Sequence, residues 1–284
     1  MPFSKEILTG SSGQAGFYNG VATQSLRFND GNAHKLTRDY TGSSPDNNKK
    51  MTISVWVKRG NLSTGTTQVI FASYDAVRFL GELAFDSSTD KLRFDPGGEG
   101  DGASDSHRVQ TTSLFRDVSS WYHIVLAYDS TQGTNTNRVK LYVNSVQQYL
   151  EAGSGQSFPP ENYAHTYSYA GANNTIGEFG ASFNDGEFDG CMSEFNFIDG
   201  IALDPTSFGE DKNGIWIPKL YTGSYGTNGF RLEFKNTSVG SGSSTTIGAD
   251  TSGNNNHWTS SNIVADDCNM PDCPENNFCT LNPL

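Results

Sequence analysis

The feature that most constrains this chain is a strict two-residue alternation that recurs along it. Phe230-Arg231-Leu232-Glu233-Phe234-Lys235 sets three apolar side chains against three charges. Successive side chains of a strand point to opposite faces, so such an order suits a half-buried strand and not a helix of 3.6-residue period. Val139-Lys140-Leu141-Tyr142-Val143-Asn144 repeats the design, and Met51-Thr52-Ile53-Ser54-Val55-Trp56-Val57-Lys58 sets Met, Ile and Val against Thr, Ser, Trp and Lys. Leu83-Ala84-Phe85 and Lys91-Leu92-Arg93-Phe94 flank the polar Asp86-Ser87-Ser88-Thr89-Asp90, which predicts a hairpin with a five-residue loop. Trp121 to Tyr128 is apolar on both faces except at His123, as in a central strand of a sandwich. The one helical signal is short: at Leu203-Asp204-Pro205-Thr206-Ser207-Phe208, Asp204 can cap and Pro205 can open a turn. Many short strands separated by Gly, Asn and Asp predict an all-β fold, an antiparallel β-sandwich or jelly roll.

Composition narrows the function. Nineteen Lys and Arg against 31 Asp and Glu leave a net charge of −12. Affinity for a phosphate backbone rests on basic side chains displacing counterions, so nucleic acid is not expected as a partner. An anionic lipid surface is disfavoured on the same ground. No apolar run approaches the ~18 residues of a membrane span, and Met1-Pro2-Phe3-Ser4-Lys5-Glu6 shows no apolar stretch of a secretory signal. Only 35% of residues are hydrophobic, so the 12% that are aromatic must fill much of the core.

The chain divides into an N-terminal arm over 1–19, a sandwich over 20–235, and an acidic C-terminal arm over 236–284. From Asn236 to Ala265, 21 of 30 residues are Gly, Ser, Thr or Asn, and no Lys or Arg follows Lys235. Such a stretch offers little apolar surface against its ordering entropy. Its isolated Ile247, Trp258, Ile263 and Phe278 are candidate anchors for docking on a partner. Cys268, Cys273 and Cys279 cluster in the same arm. They could be free thiols, hold a disulfide, or join His257 in a zinc site, although their spacing is wider than a zinc knuckle. Cys191 stands alone in a strand, as a small apolar filler.

Several chemistries fail on the sequence. There is no Gly-x-Ser-x-Gly elbow, no His-Glu-x-x-His pair and no phosphate cradle ending in Gly-Lys-Ser/Thr. Glycoside hydrolysis needs two facing carboxylates, and the densest candidate is Glu187-Phe188-Asp189-Gly190-Cys191-Met192-Ser193-Glu194. The third acid of a Glu-x-Asp-x-Glu array would fall at Cys191, or at Met192 with a bulge, and neither transfers a proton. Glu194 has the wrong parity for a regular strand. Glu187 and Asp189 remain the pair a hydrolase would use.

The same stretch, Phe188 to Phe197, resembles the Phe-Asp-Gly strand of laminin-G-like, concanavalin A-like domains. Ser25-Leu26-Arg27-Phe28 is similar to the opening strand of that family, and Met51 to Lys58 to its second. Trp121-Tyr122-His123-Ile124-Val125 with Val139 to Asn144 resembles its Trp-x-His and Tyr-Val-Asn-Gly pair, with Ser145 in place of the glycine, where the turn is expected to differ. The resemblance covers about residues 20–235 and implies the sandwich fold, with His123 a satisfied core or edge residue. It also implies ligands held at the rim loops, sometimes with calcium. Asp95, Glu99, Asp101 and Asp105 are then candidate oxygen ligands for calcium, or else form a solvated acidic loop.

A narrower resemblance covers nearly the whole chain. Met1-Pro2-Phe3-Ser4-Lys5, Ile215 to Lys219, Tyr221 to Phe230, Asp250 to Asn254 and Asn276 to Leu284 are similar to structural proteins of marine tailed bacteriophages. That implies a non-enzymatic protein on the virion surface, a capsid decoration or a tail appendage, assembled in the host cytoplasm in many copies or as a homo-oligomer. Its partners would be other virion proteins and a host-surface glycan. The competing expectation is a tail-associated depolymerase using Glu187 and Asp189.

Overall fold

The computed structural model describes residues 17–40, 46–62, 65–74, 79–97, 107–179 and 186–277, with backbone alone at 79–80. Two antiparallel sheets face each other. The first contains β1 (Leu26–Phe28), β3 (Lys50–Arg59), β8 (Tyr122–Asp129), β9 (Val139–Val143), β10 (Val146–Gln147), β13 (Gly190–Asp199) and β16 (Phe230–Leu232). Its order runs β10-β9-β8-β3-β13, and β1 and β16 share the far edge of β13. The second contains β2 (Lys35–Asp39), β4 (Gln68–Tyr74), β5 (Phe79–Phe85), β6 (Leu92–Asp95), β7 (Val109–Thr111), β11 (Leu150–Ala152), β12 (Asn173–Ile176) and β17 (Thr259–Ser261), in the order β11-β7-β6-β5-β4-β12-β2-β17. A separate hairpin joins β14 (Gly209–Lys212) to β15 (Ile215–Pro218). Helical structure among the described residues consists of short 3-10 turns, and no helix is long and apolar enough to cross a membrane.

The alternation read from the sequence decides which side chains meet between the sheets. Met51, Ile53, Val55 and Val57 of β3 enter one core with Ile124 and Leu126 of β8, Leu141 of β9 and Phe195 and Phe197 of β13. Ile70, Phe71, Leu83, Phe85, Leu92 and Phe94 close it from the second sheet. Phe71 lies at its middle, within 5.1–6.2 Å of the rings of Tyr167, Phe195, Phe197, Phe230 and Trp258. The other face of β3 is buried as well. Val125, Ile198, Phe208 and Tyr225 form a second apolar cluster there with Leu203 and Tyr221, so the segment after β13 roofs the first sheet.

The local expectations hold at three places. Asp86 Oδ1 accepts the N–H groups of Ser88 and Thr89 and closes the β5–β6 hairpin. Asp204 caps the turn Pro205–Ser207 by accepting from the Thr206 N–H at 2.8 Å. β8 lies centrally, between β3 and β9.

Two expectations are corrected. The β9–β10 turn keeps its two-residue form without the glycine: Asn144 and Ser145 have φ of 49° and 68°, the left-handed pair that such a hairpin needs. The backbone twist of the flanking strands sets this turn, and serine accepts the strain. The second correction concerns the C-terminal segment. Ile247, Trp258 and Ile263 are buried in this chain's own core, so they are not free to dock on a partner. The sandwich itself supplies the pockets for these isolated apolar residues. Its β17 also pairs with β2, Met270 bridges to Ser25, and Glu275 accepts the N–H groups of Gly20, Val21 and Ala22. Phe278 lies outside the described residues.

Candidate functional site

At one rim of the sandwich, Asp30, Gly31, Asn61, Thr66, Gln68 and Glu187 line an open cleft of about 270 Å³. Each comes from the end of a strand. Asp30 opens the 3-10 turn Asp30–Asn32 after β1, Asn61 follows β3, Thr66 and Gln68 lead into β4, and Glu187 lies on the approach to β13. The antiparallel order brings these ends together, although 157 residues of sequence separate Asp30 from Glu187 (187 − 30).

A one-way chain of hydrogen bonds orients the cleft. The buried Arg59 donates from Nε to Gln68 Oε1 at 3.1 Å. An amide that accepts at its oxygen presents its NH₂ elsewhere, and Gln68 Nε2 donates to Asn61 Oδ1. Asn61 in turn donates from Nδ2 to Asp30 Oδ2 at 3.1 Å. Asp30 Oδ1 takes the Gly31 N–H at 2.7 Å. Arg59 is anchored by Asp90 at 2.9 Å, by the Phe115 carbonyl at 2.6 Å and by the ring of Phe85 beneath its guanidinium. A guanidinium cannot accept, so it fixes the direction of every bond beyond it. Glu187 is half-buried and has no hydrogen-bond or ion-pair partner among the described residues.

Asp189 lies beside this cleft. Burial raises its carboxyl above the usual range, and the charge of Asp30 adds to the rise, with Arg27 opposing it. Its backbone carbonyl accepts the Gly60 N–H at 2.8 Å, and its side chain lies over Gly60, where an added Cβ would fall 2.5 Å from Oδ2. The Phe-Asp-Gly motif therefore divides its labour. Phe188 fills the core, Asp189 stays at the rim, and Gly190, at φ 141°, approaches β3 so closely that a Cβ would lie 2.1 Å from the Lys58 carbonyl.

The other candidates are committed elsewhere. His123 is fully buried and stacked between Trp56 and Trp216. Trp216 Nε1 donates to its Nδ1 at 2.9 Å, so Nε2 carries the proton and donates to Ser54 Oγ at 3.0 Å. That tautomer cannot take a proton from Ser54, and burial depresses the imidazole to about 3. Glu194 sits at a bulge in β13 with φ 48° and is paired at both oxygens with Arg231, 3.0 Å each. Burial raises its carboxyl to about 7 against the pull of Arg231, and the charge of Glu233, which also pairs with Arg231, adds to the rise.

Asp95 is buried at the end of β6 and accepts the Gly97 N–H at 2.9 Å, within its own turn; Glu99, Asp101 and Asp105 lie outside the described residues. Among the described residues no group of three or more His, Cys, Asp or Glu is placed to hold a metal. Cys268 and Cys273 are buried free thiols and Cys191 is a half-buried one on the outer face of β13, each pushed up to about 11 by burial. Cys279 lies outside the described residues. His257 Nδ1 accepts the Asp250 N–H at 3.0 Å and so orders its own loop.

Asp30, Asn61 and Gln68 carry no sequence signal. They sit in three unrelated turns, and only the register of the strands assembles them. Glu187 is the member that acid density along the chain picks out.

Comparison with known proteins agrees with this architecture. A candidate carbohydrate-binding protein from Bacteroides ovatus superposes with a TM-score of 0.53 at 16% identity, covering 84% of this chain and 58% of that one. This chain thus spans little more than half of that protein's length. A heptameric SAP-like pentraxin from Limulus polyphemus gives 0.42 at 16% identity, over 65% of this chain and 79% of the pentraxin. The enzymatically active domain of tailspike protein 2 of bacteriophage CBA120 gives 0.41 at 14% identity, over 65% of this chain and 26% of that one. No curated protein matches by sequence. The profile of the concanavalin A-like lectin/glucanases superfamily matches residues 10–207, which is most of the chain, and the protein belongs to that superfamily.

Proposed function

We propose that the rim cleft binds a sugar, and that the protein is a non-enzymatic carbohydrate-binding module carried on the surface of a bacteriophage particle. The observation that carries the first part is the one-way chain from Arg59 through Gln68 and Asn61 to Asp30. Sugar hydroxyls are recognised by side-chain amides and carboxylates held in fixed orientation, since groups already ordered lose little entropy on binding. Each such bond contributes about 0.5–1.5 kcal/mol net. The reading agrees with the description of the Bacteroides ovatus neighbour as a candidate carbohydrate-binding protein. The virion setting rests on the sequence resemblance of residues 215–230 and 250–254 to phage structural proteins, and on an acidic surface that resists nonspecific adhesion.

Glycan-array binding of the purified protein beside Asn61→Ala tests the cleft. The variant is expected to lose at least tenfold in affinity while its melting temperature stays within about 5 °C, since Asn61 is half-exposed. Unchanged binding, or no glycan bound by the wild type, overturns the cleft. Gold-labelled antibody on purified virions tests the location, and unlabelled particles overturn it.

A second reading has its own support. Asp189, raised by burial, beside the unpaired Glu187 is the pairing of an acid with a base that a polysaccharide depolymerase needs. Release of reducing ends from host envelope, abolished by Asp189→Asn, would favour it over simple binding.

A further inference from the structure

We infer that the cleft selects sugars that donate hydrogen bonds, neutral hydroxylated or amino sugars, and rejects glycans bearing carboxylate or sulfate. This rests on the cleft being the sugar site.

The donor and acceptor inventory points one way. Gln68 spends its oxygen on Arg59 and turns its NH₂ toward Asn61, reaching both Oδ1 and the Asn61 carbonyl. Asn61 spends its oxygen on Gln68 and one N–H on Asp30. Among the described residues of the lining, one amide N–H of Asn61 and the hydroxyl of the exposed Thr66 are the side-chain donors left. Against them stand the carboxylates of Asp30 and Glu187, with several lone pairs each and Glu187 wholly uncommitted. A ligand that fills such a lining must bring the protons.

Charge reinforces the inventory. Asp30 and Glu187 line the cleft, and Asp189 stands beside it, its carboxyl raised by burial first and by the charge of Asp30 second. The cations nearby are otherwise placed. Arg27 faces Asp189 from the exposed side of β1, and Arg59 is buried and paired with Asp90. Among the described residues no Lys or Arg is part of the lining. An anionic sugar entering here would meet like charge in a partly desolvated cleft, where the repulsion per charge is about a tenfold loss of affinity or more. An ammonium on the sugar would gain by the same arithmetic.

The test is an array of neutral glycans printed beside sulfated, uronate and amino versions of the same backbones, read at low and high salt. For every neutral glycan bound, its acidic version should bind at least tenfold more weakly, and the gap should shrink as salt rises. Glu187→Gln and Asp30→Asn should each weaken neutral binding, because each exchanges a carboxylate acceptor for an amide, and should at the same time narrow that gap about threefold or more. Acidic versions bound as well as neutral ones would overturn the selectivity and leave the cleft reading standing. Binding that ethylenediaminetetraacetate abolishes and calcium restores would also overturn it, because the carboxylates would then hold a cation and not the sugar. Array binding indifferent to every cleft variant would overturn the cleft itself, and with it this inference.

Discussion

Trp216, half-buried in the segment that roofs the first sheet, donates its indole N–H at 2.9 Å to Nδ1 of the fully buried His123. The bond fixes the neutral tautomer, and burial holds the imidazole down to about 3. In the unfolded chain it titrates near 6.5. Below that pH the unfolded state binds a proton that the folded state refuses, so stability is lost as pH falls from about 6.5 toward 3. His123→Gln should destabilise the protein at pH 7, yet the gap to wild type should narrow by about 2–3 kcal/mol at pH 4.5, because the variant carries no such linkage. Urea melts at the two pH values read this directly. A constant gap would mean that His123 takes up its proton in the fold as readily as in the unfolded chain.

Glu194 should give the opposite slope. Its folded carboxyl, raised to about 7, lies above the unfolded value, so its contribution to stability is fully present below about 4.5 and lost as pH rises through 7. Glutamine imitates the protonated form. Glu194→Gln should therefore improve relative to wild type by about 3 kcal/mol on going from pH 4.5 to 8, in the same urea assay. A variant that worsens with rising pH would show that the pair with Arg231 outweighs the burial.

The fold was legible because it rests on a local signal. The alternation of Met51 to Val57 and of Val139 to Val143 states which side chains enter the core between the sheets; burial follows it residue by residue in β9, whereas β3 is buried on both faces. The fate of the outward residues was not legible. Thr52, Ser54 and Trp56 look solvent-facing in sequence, but the 201–225 segment covers them, and no period-2 pattern announces a roof. The C-terminal segment misled for a related reason. Its composition is that of a mobile arm, yet its few apolar residues enter a core that the rest of the chain has already built. The cleft was legible only at Glu187, because Asp30, Asn61 and Gln68 become neighbours through strand register alone.

The β9–β10 turn offers a stabilising change. Ser145 holds φ 68°, a conformation that costs a non-glycine residue about 1–2 kcal/mol. Glycine removes that cost but gives the unfolded chain more freedom, an offset of about 0.4–1 kcal/mol. Ser145→Gly should raise stability by about 0.5–1 kcal/mol, and a differential scanning measurement with a higher melting temperature would confirm it. A lower one would mean that the serine makes a contact the turn depends on.

Trp258 is the residue on which the C-terminal segment turns. It is fully buried between Phe71 and Phe230, at 6.0 and 4.9 Å between ring centres, and it packs against Gly248 so tightly that a Cβ there would lie 2.1 Å from the Trp258 carbonyl. Truncating such a ring leaves a cavity in a close-packed core and costs about 3–5 kcal/mol. Were Trp258 a partner anchor, its loss would weaken assembly and leave the isolated protein as stable as before. As a core residue, Trp258→Ala should lower the melting temperature of the isolated protein by several degrees and expose the backbone of residues 236–262 to protease. Limited proteolysis with mass spectrometry distinguishes the two outcomes. An unshifted melting temperature with the segment still protected would return Trp258 to the surface.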